Sequence, residues 1–576
     1  FNEDETQIAF QDNSTGTMQL YLANIDRSDT RRLTDYTDRL MFAGFRPHHN
    51  QILFGKDKDG DEHTQFYLYD LNTDKVRDLT CNPKALHRIG GFSRDGKFIA
   101  YASNAVNGKD FDIYVMDIDT GAARCLIKER GWCDAQGFSP DGKYLIVSIA
   151  SSNTSNDLLL IDIETCEIKE IASGKGNTLS FCPAWLADSS GFYLISNMDS
   201  DFANIHFYSL ASGKQKNIRE FGWNVQKVEV SRDDSLLSVT LNEGGYSTLK
   251  LFSLPDMSPI STNGIPKGSV GNSRLSEDAG RLLFSFGSST RAMGVWLWDR
   301  KKESATKISP DHQTIPSYEL VEPELVEYSS FDDLKIPVFV YTPKQPADKP
   351  YPVVVVIHGG PESQYGPDFN PVTQYLLNHG YAVAAPNVRG STGYGKHYVT
   401  LDDKEKRLDS VQDIVYLRHY LAQRPEFDEN KIVLTGGSYG GYMVLANLAF
   451  YPEYWAAGVD IVGISNFVSF LKNTSIWRRE MREVEYGSLE HDLEMLERIS
   501  PINKAADITA PLFIIHGAND PRVPVSEAEQ MHDTLKELGR DVELLVYPDE
   551  GHGLAKRKNR IDAWAKVIDF LDKRLK

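Results

Sequence analysis

Three phrases carry residue types that together could do acyl-transfer chemistry. In the first, Gly436-Gly437-Ser438-Tyr439-Gly440 stands between an apolar run and a helical pattern. Glycine weakens both strands and helices, so four glycines around one serine, Gly441 being the fourth, imply a backbone that must turn tightly there. A strand reversing into a helix within a few residues has that need, and G-x-S-x-G is its signature. The turn would leave the Ser438 hydroxyl exposed at the carboxyl end of a sheet, beside the positive end of a helix. A serine hydroxyl becomes a nucleophile when a base takes its proton and an acid orients that base. "FIIHGANDPRVP" (513–524) supplies Asp520 just past one apolar run, and "LLVYPDEGHG" (544–553) supplies His552 just past the next. His358 and His516 also stand at strand ends, and Asp549 and Glu550 lie close to His552, so these are the competitors for base and acid. The order serine, acid, histidine, each partner on a loop after a late strand, favours Ser438, Asp520 and His552.

Attack on a carbonyl creates an oxyanion that needs preorganised N–H donors. The amide following the nucleophile, that of Tyr439, is one candidate. The glycine-rich "HGGPES" (358–363) offers the Gly360 amide as a second, unless its glycines only make a turn. No metal constellation or phosphate-cradling loop accompanies these residues, so no metal or cofactor is expected. A further stretch, "NTSIWRREMREVEYG" (473–487), reads as an insertion carrying a helix. Arg478 and Arg482 fall one turn apart on it, with Arg479 and Trp477 alongside. Neighbouring glutamates could pair with these arginines. Alternatively, guanidinium groups could hold a substrate's C-terminal carboxylate bidentately.

These residues need a scaffold, and the second half of the chain reads as one. Buried-looking strands at 351–359, 381–390, 431–437, 510–517 and 541–548 alternate with helical patterns at 410–423, 439–450, 525–538 and 561–574. Continuous apolar strands alternating with helices predict a mostly parallel sheet, the α/β-hydrolase arrangement. The first half has a different texture. Phe45, Phe92, Phe138, Trp185, Val230 and Leu275 open similar phrases at intervals of 45–47 residues, as in "FSRDGKFIAYAS" and "FSPDGKYLIVSI". Each phrase reads as strand, D-G type turn and strand, followed by two further strands. Four strands per 40–50 residues predict β-propeller blades, and the match of residues 1–10 to 45–54 makes seven, the first lacking its leading strand. A segment upstream of Phe1 is therefore expected. A closed ring is favoured over an open array because closure removes sheet edges. The predicted division is a propeller over residues 1–312 and a catalytic domain over 313–576, as 576 residues exceed what one core supports.

A net charge of −19 disfavours nucleic acid and anionic membranes as partners. No apolar stretch approaches the ~18 residues that span a bilayer. Five cysteines without metal-ligand spacing read as buried or half-buried free thiols in a reducing compartment, hence a cytoplasmic location.

The phrases "HGGPES", "NVRGSTGYG" (387–395), "GGSYGGYM", "HGANDPRVP" and "EGHG" make the second half resemble the prolyl oligopeptidase family of serine peptidases, most closely its acylaminoacyl-peptidase branch. The resemblance implies a peptidase of short peptides whose propeller restricts access, with Ser438, Asp520 and His552 as the triad. It also implies that Arg522 holds a substrate carbonyl, that Val523 walls the pocket for the residue before the cut bond, and that the chain forms homo-oligomers. Gly437 stands where dipeptidyl-peptidase relatives carry Trp, and no glutamate pair in the propeller suggests a grip on a free amino terminus. Both weigh against dipeptidyl aminopeptidase action. The expected function is a serine peptidase of acylaminoacyl-peptidase or oligopeptidase type. The alternatives are a carboxypeptidase using Arg478, Arg479 and Arg482, a carboxylesterase, and an interaction platform with an inactive hydrolase fold.

Overall fold

The computed structural model describes residues 1–345 and 350–575. They divide into two compact units. One holds residues 1–58, 62–287 and 293–312; the other holds 59–61, 288–292 and 313–576.

The first unit consists of seven antiparallel sheets in chain order. The first has three strands, Gln7–Asp12, Gln19–Asn24 and Thr30–Arg32, and the other six have four each. The repeated phrase has a physical role in four blades. Ser93, Ser139, Ser231 and Ser276 each donate Oγ–H to the aspartate two residues on, at 2.6–2.7 Å. Each serine Oγ also accepts the amide five residues on, at 2.8–2.9 Å, which closes the turn between strands. The ring closes between its first and last sheets. Ile8, Phe10 and Ala23 pack with Ile308, Leu283, Val295 and Leu297, and Arg281 pairs with Glu5 at 2.7 Å. Among the five free cysteines, Cys133 is buried, but Cys81 is exposed rather than half-buried. Cys81 sits in the left-handed region (φ 47°) just past the outermost strand of its blade, where the edge faces solvent.

The second unit is built on an eight-stranded sheet. Its strands are β1 (Glu324–Ser329), β2 (Lys335–Tyr341), β3 (Tyr351–Ile357), β4 (Ala382–Pro386), β5 (Phe427–Gly437), β6 (Ala457–Ile461), β7 (Leu512–Gly517) and β8 (Val542–Tyr547). Their order is β1-β2-β4-β3-β5-β6-β7-β8, with the pairs from β4 to β8 all parallel and β1 and β2 antiparallel. The central strands carry the apolar runs: Val353, Val354 and Val355 of β3 and Ile432, Val433 and Leu434 of β5 are buried. Helices α1 (Pro371–Asn378), α2 (Arg407–Ala422), α3 (Tyr439–Phe450), α4 (Ile476–Tyr486), α5 (Ser526–Glu537) and the C-terminal α6 (Arg557–Leu575) accompany the sheet. Strands covered in this way bury both faces, which is why they read as continuous hydrophobic runs.

Candidate active site

The strand β5 turns into α3 at Ser438, which has φ 59° and ψ −119°. A non-glycine residue held there costs on the order of 1–3 kcal/mol, so its surroundings must hold it. The Ser438 amide donates to the Ile461 carbonyl at the end of β6 at 2.8 Å, and its own carbonyl accepts from the Tyr442 amide at 3.1 Å. The glycines differ in what they do. A Cβ on Gly436 would stand 2.3 Å from the Gly440 carbonyl oxygen, and one on Gly440 would stand 2.2 Å from that of Ile357. Both positions are closed to any side chain. Around Gly437 the nearest atom is 3.8 Å away, so the turn itself does not require glycine there.

Asp520 and His552 meet on the loops after β7 and β8. His552 Nδ1 lies 2.7 Å from Asp520 Oδ2. The other carboxylate oxygen, Oδ1, accepts the amides of Arg522 (2.8 Å) and Val523 (3.0 Å), which fixes the carboxylate plane. With Nδ1–H donated to Asp520, Nε2 of a neutral imidazole is left to act as a base. The Ser438–His552 hydrogen bond is not among those made by the described residues, a bond that often tightens only with substrate.

The competing residues are otherwise engaged. His516 is buried, with Nε2 2.9 Å from the Val523 carbonyl oxygen. His358 places Nε2 2.8 Å from Ser391 Oγ and Nδ1 2.8 Å from the Gly359 carbonyl. Burial lowers the pKa of both histidines, which keeps them neutral structural groups. Asp549 pairs with Lys556 and Asn559 at 3.1 and 2.9 Å. Glu550 accepts the amides of Ala555 and Lys556 at 2.9 and 3.0 Å.

The loop after β3 lies against the serine: a Cβ on Gly359 would stand 3.3 Å from Ser438 Cβ. Gly360 follows at φ 123°, and its carbonyl accepts from Tyr486 Oη at 3.2 Å. Tyr439 is buried, its hydroxyl bonded to Asp402 at 3.0 Å and Ser410 at 2.8 Å. The structure therefore sets the Gly359–Gly360 loop and Tyr439 beside Ser438, and pairs Asp520 with His552 on the loops after β7 and β8.

The arginines of α4 part company. Arg482 turns inward and pairs with Glu362 at 3.1 Å and Glu485 at 2.9 Å. Arg479 donates to the Lys472 carbonyl at 2.7 Å, while its Nε is buried without a partner. Arg478 lies 5.3 Å from the centre of the Trp477 ring. Just before α4, Ser475 and Thr474 donate their hydroxyls to the Pro521 and Arg522 carbonyls, at 2.7 Å each. The helix thus starts from the loop that carries Asp520. Val523 is buried in the core of this unit. Its amide, like that of Arg522, serves Asp520.

The sequence reading missed Asp402, Arg407 and Glu362, whereas Glu485 is one of the neighbouring glutamates it offered as partners for the arginines. Burial pushes Asp402 up to about 7 against the pull of Arg407. Burial, with Glu362 beside it, also holds Glu485 well above the ordinary carboxylate range. The only local signal was that charged residues lay close to glycine-rich phrases.

Residues 367–576 match the model of the prolyl oligopeptidase family. The chain is 26% identical to "Dipeptidyl aminopeptidase BIII" of Pseudoxanthomonas mexicana over 94% of its own length and 82% of that protein's. It is 30% identical to the human acylamino-acid-releasing enzyme over 43% of this chain and 35% of the relative. In fold it is similar to a puromycin-hydrolysing peptidase of Mycobacterium tuberculosis, with a TM-score of 0.88 at 18% identity over 99% of this chain and 93% of that one. The dipeptidyl likeness runs through both halves, whereas the acylamino likeness covers less than half of the chain. Residues 367–576 match a prolyl oligopeptidase family domain, and the chain that carries them is a serine-type peptidase, a hydrolase.

Proposed function

We propose that the protein hydrolyses short peptides, with Ser438 as nucleophile, His552 as general base and acid, and Asp520 as the group that orients it. The observation that carries this is the 2.7 Å contact from His552 Nδ1 to an Asp520 carboxylate already held by two amides. Ser438 Oγ attacks the scissile carbonyl carbon as its proton passes to His552 Nε2. The carbonyl oxygen becomes an oxyanion facing the Tyr439 and Gly360 amides. Collapse breaks the C–N bond, and the leaving amine takes the proton from His552. Water then attacks the acyl-Ser438 ester by the same route and frees the acid and the serine.

Two observations pull the specificity in different directions. The names of the relatives point to release from the amino end, as an acylated residue or a dipeptide. The junction of α4 with the Asp520 loop, together with the unpartnered Nε of Arg479, favours a second reading: Arg478 and Arg479 receive a C-terminal carboxylate. One peptide offered N-acetylated, free at both ends and C-amidated separates these by product mass. Release of the acetylated residue supports the acylaminoacyl reading, and release of the first two residues from the free form supports a dipeptidyl one. Loss of the last residue, blocked by amidation, supports the carboxypeptidase. Covalent labelling by a fluorophosphonate, lost in Ser438→Ala, tests the nucleophile. Labelling that survives this substitution rejects it.

A further inference from the structure

Five ionisable side chains form one buried chain of contacts beside the candidate oxyanion site. Arg482 on α4 donates Nη1 to Glu362 Oε2 at 3.1 Å and to Glu485 Oε2 at 2.9 Å. The same nitrogen lies 3.4 Å from the Gly360 carbonyl oxygen, which also accepts from Tyr486 Oη at 3.2 Å. Arg407 on α2 continues the chain. It donates Nη2 to Glu485 Oε1 at 3.0 Å and Nη1 to Asp402 Oδ2. Asp402 Oδ2 in turn accepts the Tyr439 hydroxyl at 3.0 Å. The Arg407 guanidinium lies 5.0 Å from the centre of the Tyr439 ring and 4.9 Å from that of Tyr486. None of the five side chains is more than 16% exposed.

Burying ions is expensive, and a buried ion pair is weak evidence for stability. What these contacts share is where they end. One end holds the Gly360 carbonyl and the Glu362 side chain in the loop that lies against Ser438. The other holds the ring of Tyr439, the residue that follows the nucleophile. Two donors fix the Gly360 carbonyl and with it the Gly360–Pro361 peptide unit. The Gly360 N–H belongs to the preceding unit and is held through the Gly360 Cα the two units share. Oxyanion donors work only when they are aimed before the charge develops.

We propose that Arg482, braced by Glu362 and Glu485, is a positioning residue that holds the Gly360–Glu362 loop in register with the oxyanion, while Arg407 and Asp402 hold Tyr439. The inference rests on the reading of the Gly360 and Tyr439 amides given above. It takes Arg482 out of the set of arginines that could meet a substrate carboxylate, because its guanidinium is committed to the loop.

The test uses the full chain, one short peptide with a free carboxylate and its C-amidated form. Arg482→Met is expected to lower kcat about 10–100-fold on both peptides equally, with KM within about threefold. Fluorophosphonate labelling slows by a similar factor, because the phosphonyl oxygen occupies the same donors. Glu362→Gln, nearly the same size, lowers kcat less, and the double variant falls no further than Arg482→Met, as expected of groups that act as a unit. A loss confined to KM and to the free-carboxylate peptide would make Arg482 a substrate ligand and overturn the proposal. So would a wild-type kcat, or single effects that multiply in the double variant. If Arg482→Met does not fold, Glu362→Gln decides: a fall in kcat at constant KM supports positioning, and no change rejects it. Ser438→Ala run alongside separates the two levels. Labelling that survives it sinks the parent reading; labelling lost there but normal in Arg482→Met sinks only this one.

Discussion

The two sides of Ser438 are built by different physics. On one side, the turn from β5 to α3 is held by exclusion: Gly436 and Gly440 leave no room for a Cβ, and the backbone amide of Ser438 is tied to β6. On the other side, the loop Gly359–Glu362 is held by charge, through Arg482 and Tyr486 from a helix more than a hundred residues away in sequence. Steric exclusion is local and absolute. Ion pairing is distant and graded. Substitutions on the first side should therefore act like switches, and those on the second like dials.

The largest effect is expected where both kinds of support meet. Asp520 is held by two backbone amides and in turn holds His552. Asp520→Asn keeps the shape but would favour the wrong imidazole tautomer, so kcat should fall about 10⁴-fold with little change in KM. A loss of less than tenfold would mean that another acid orients His552.

The next contrast lies within the turn. Gly440→Ala would push a Cβ to 2.2 Å from the Ile357 carbonyl oxygen, a backbone atom that cannot swing away. It should cost about 3 kcal/mol or more in stability and abolish labelling of Ser438. Gly437→Ala should be nearly silent in thermal unfolding, because its nearest neighbour is 3.8 Å away. Equal effects of the two substitutions would dissolve the distinction between a closed and an open glycine.

This difference also explains what could be read from the sequence. The repeats were legible because four of the blades solve the turn with the same serine and aspartate at the same offset. The elbow was legible because a steric demand is met within five consecutive residues. Helix α4 was legible as a helix, and the pairing of its arginines with nearby glutamates was weighed as an alternative. Which arginine turns inward was not legible. Arg478 and Arg482 share a face by spacing, yet Arg482 reaches Glu362 from a segment more than a hundred residues earlier in the chain. Asp402 and Arg407 were invisible for the same reason: nothing local distinguishes a buried pair from the solvated charges around it in "LDDKEKR".

The smallest expected effect probes the turn from behind. Asp460 lies on β6 opposite Gly436, fully buried, with no hydrogen bond to either carboxyl oxygen. It occupies the space that a Cβ on Gly441 or Gly463 would need, at 2.2 and 2.1 Å. Burial pushes its carboxyl up to about 7, with Glu527 adding to the shift. Between about pH 4 and pH 7 the unfolded chain has therefore released a proton that the folded chain keeps. The folded state binds more protons in that window, so stability falls as pH rises through it and is level below it, where both states are protonated. Asp460→Asn cannot release a proton, and it should lessen the fall in Tm between pH 5 and pH 8. The fall will not vanish, because Asp402 titrates in the same direction over the same range. An unchanged pH dependence in the variant would show that Asp460 is ionised in the fold. The sterically closed side of Ser438 would then rest on a buried charge after all, and the contrast with the loop side would narrow to one of distance along the chain.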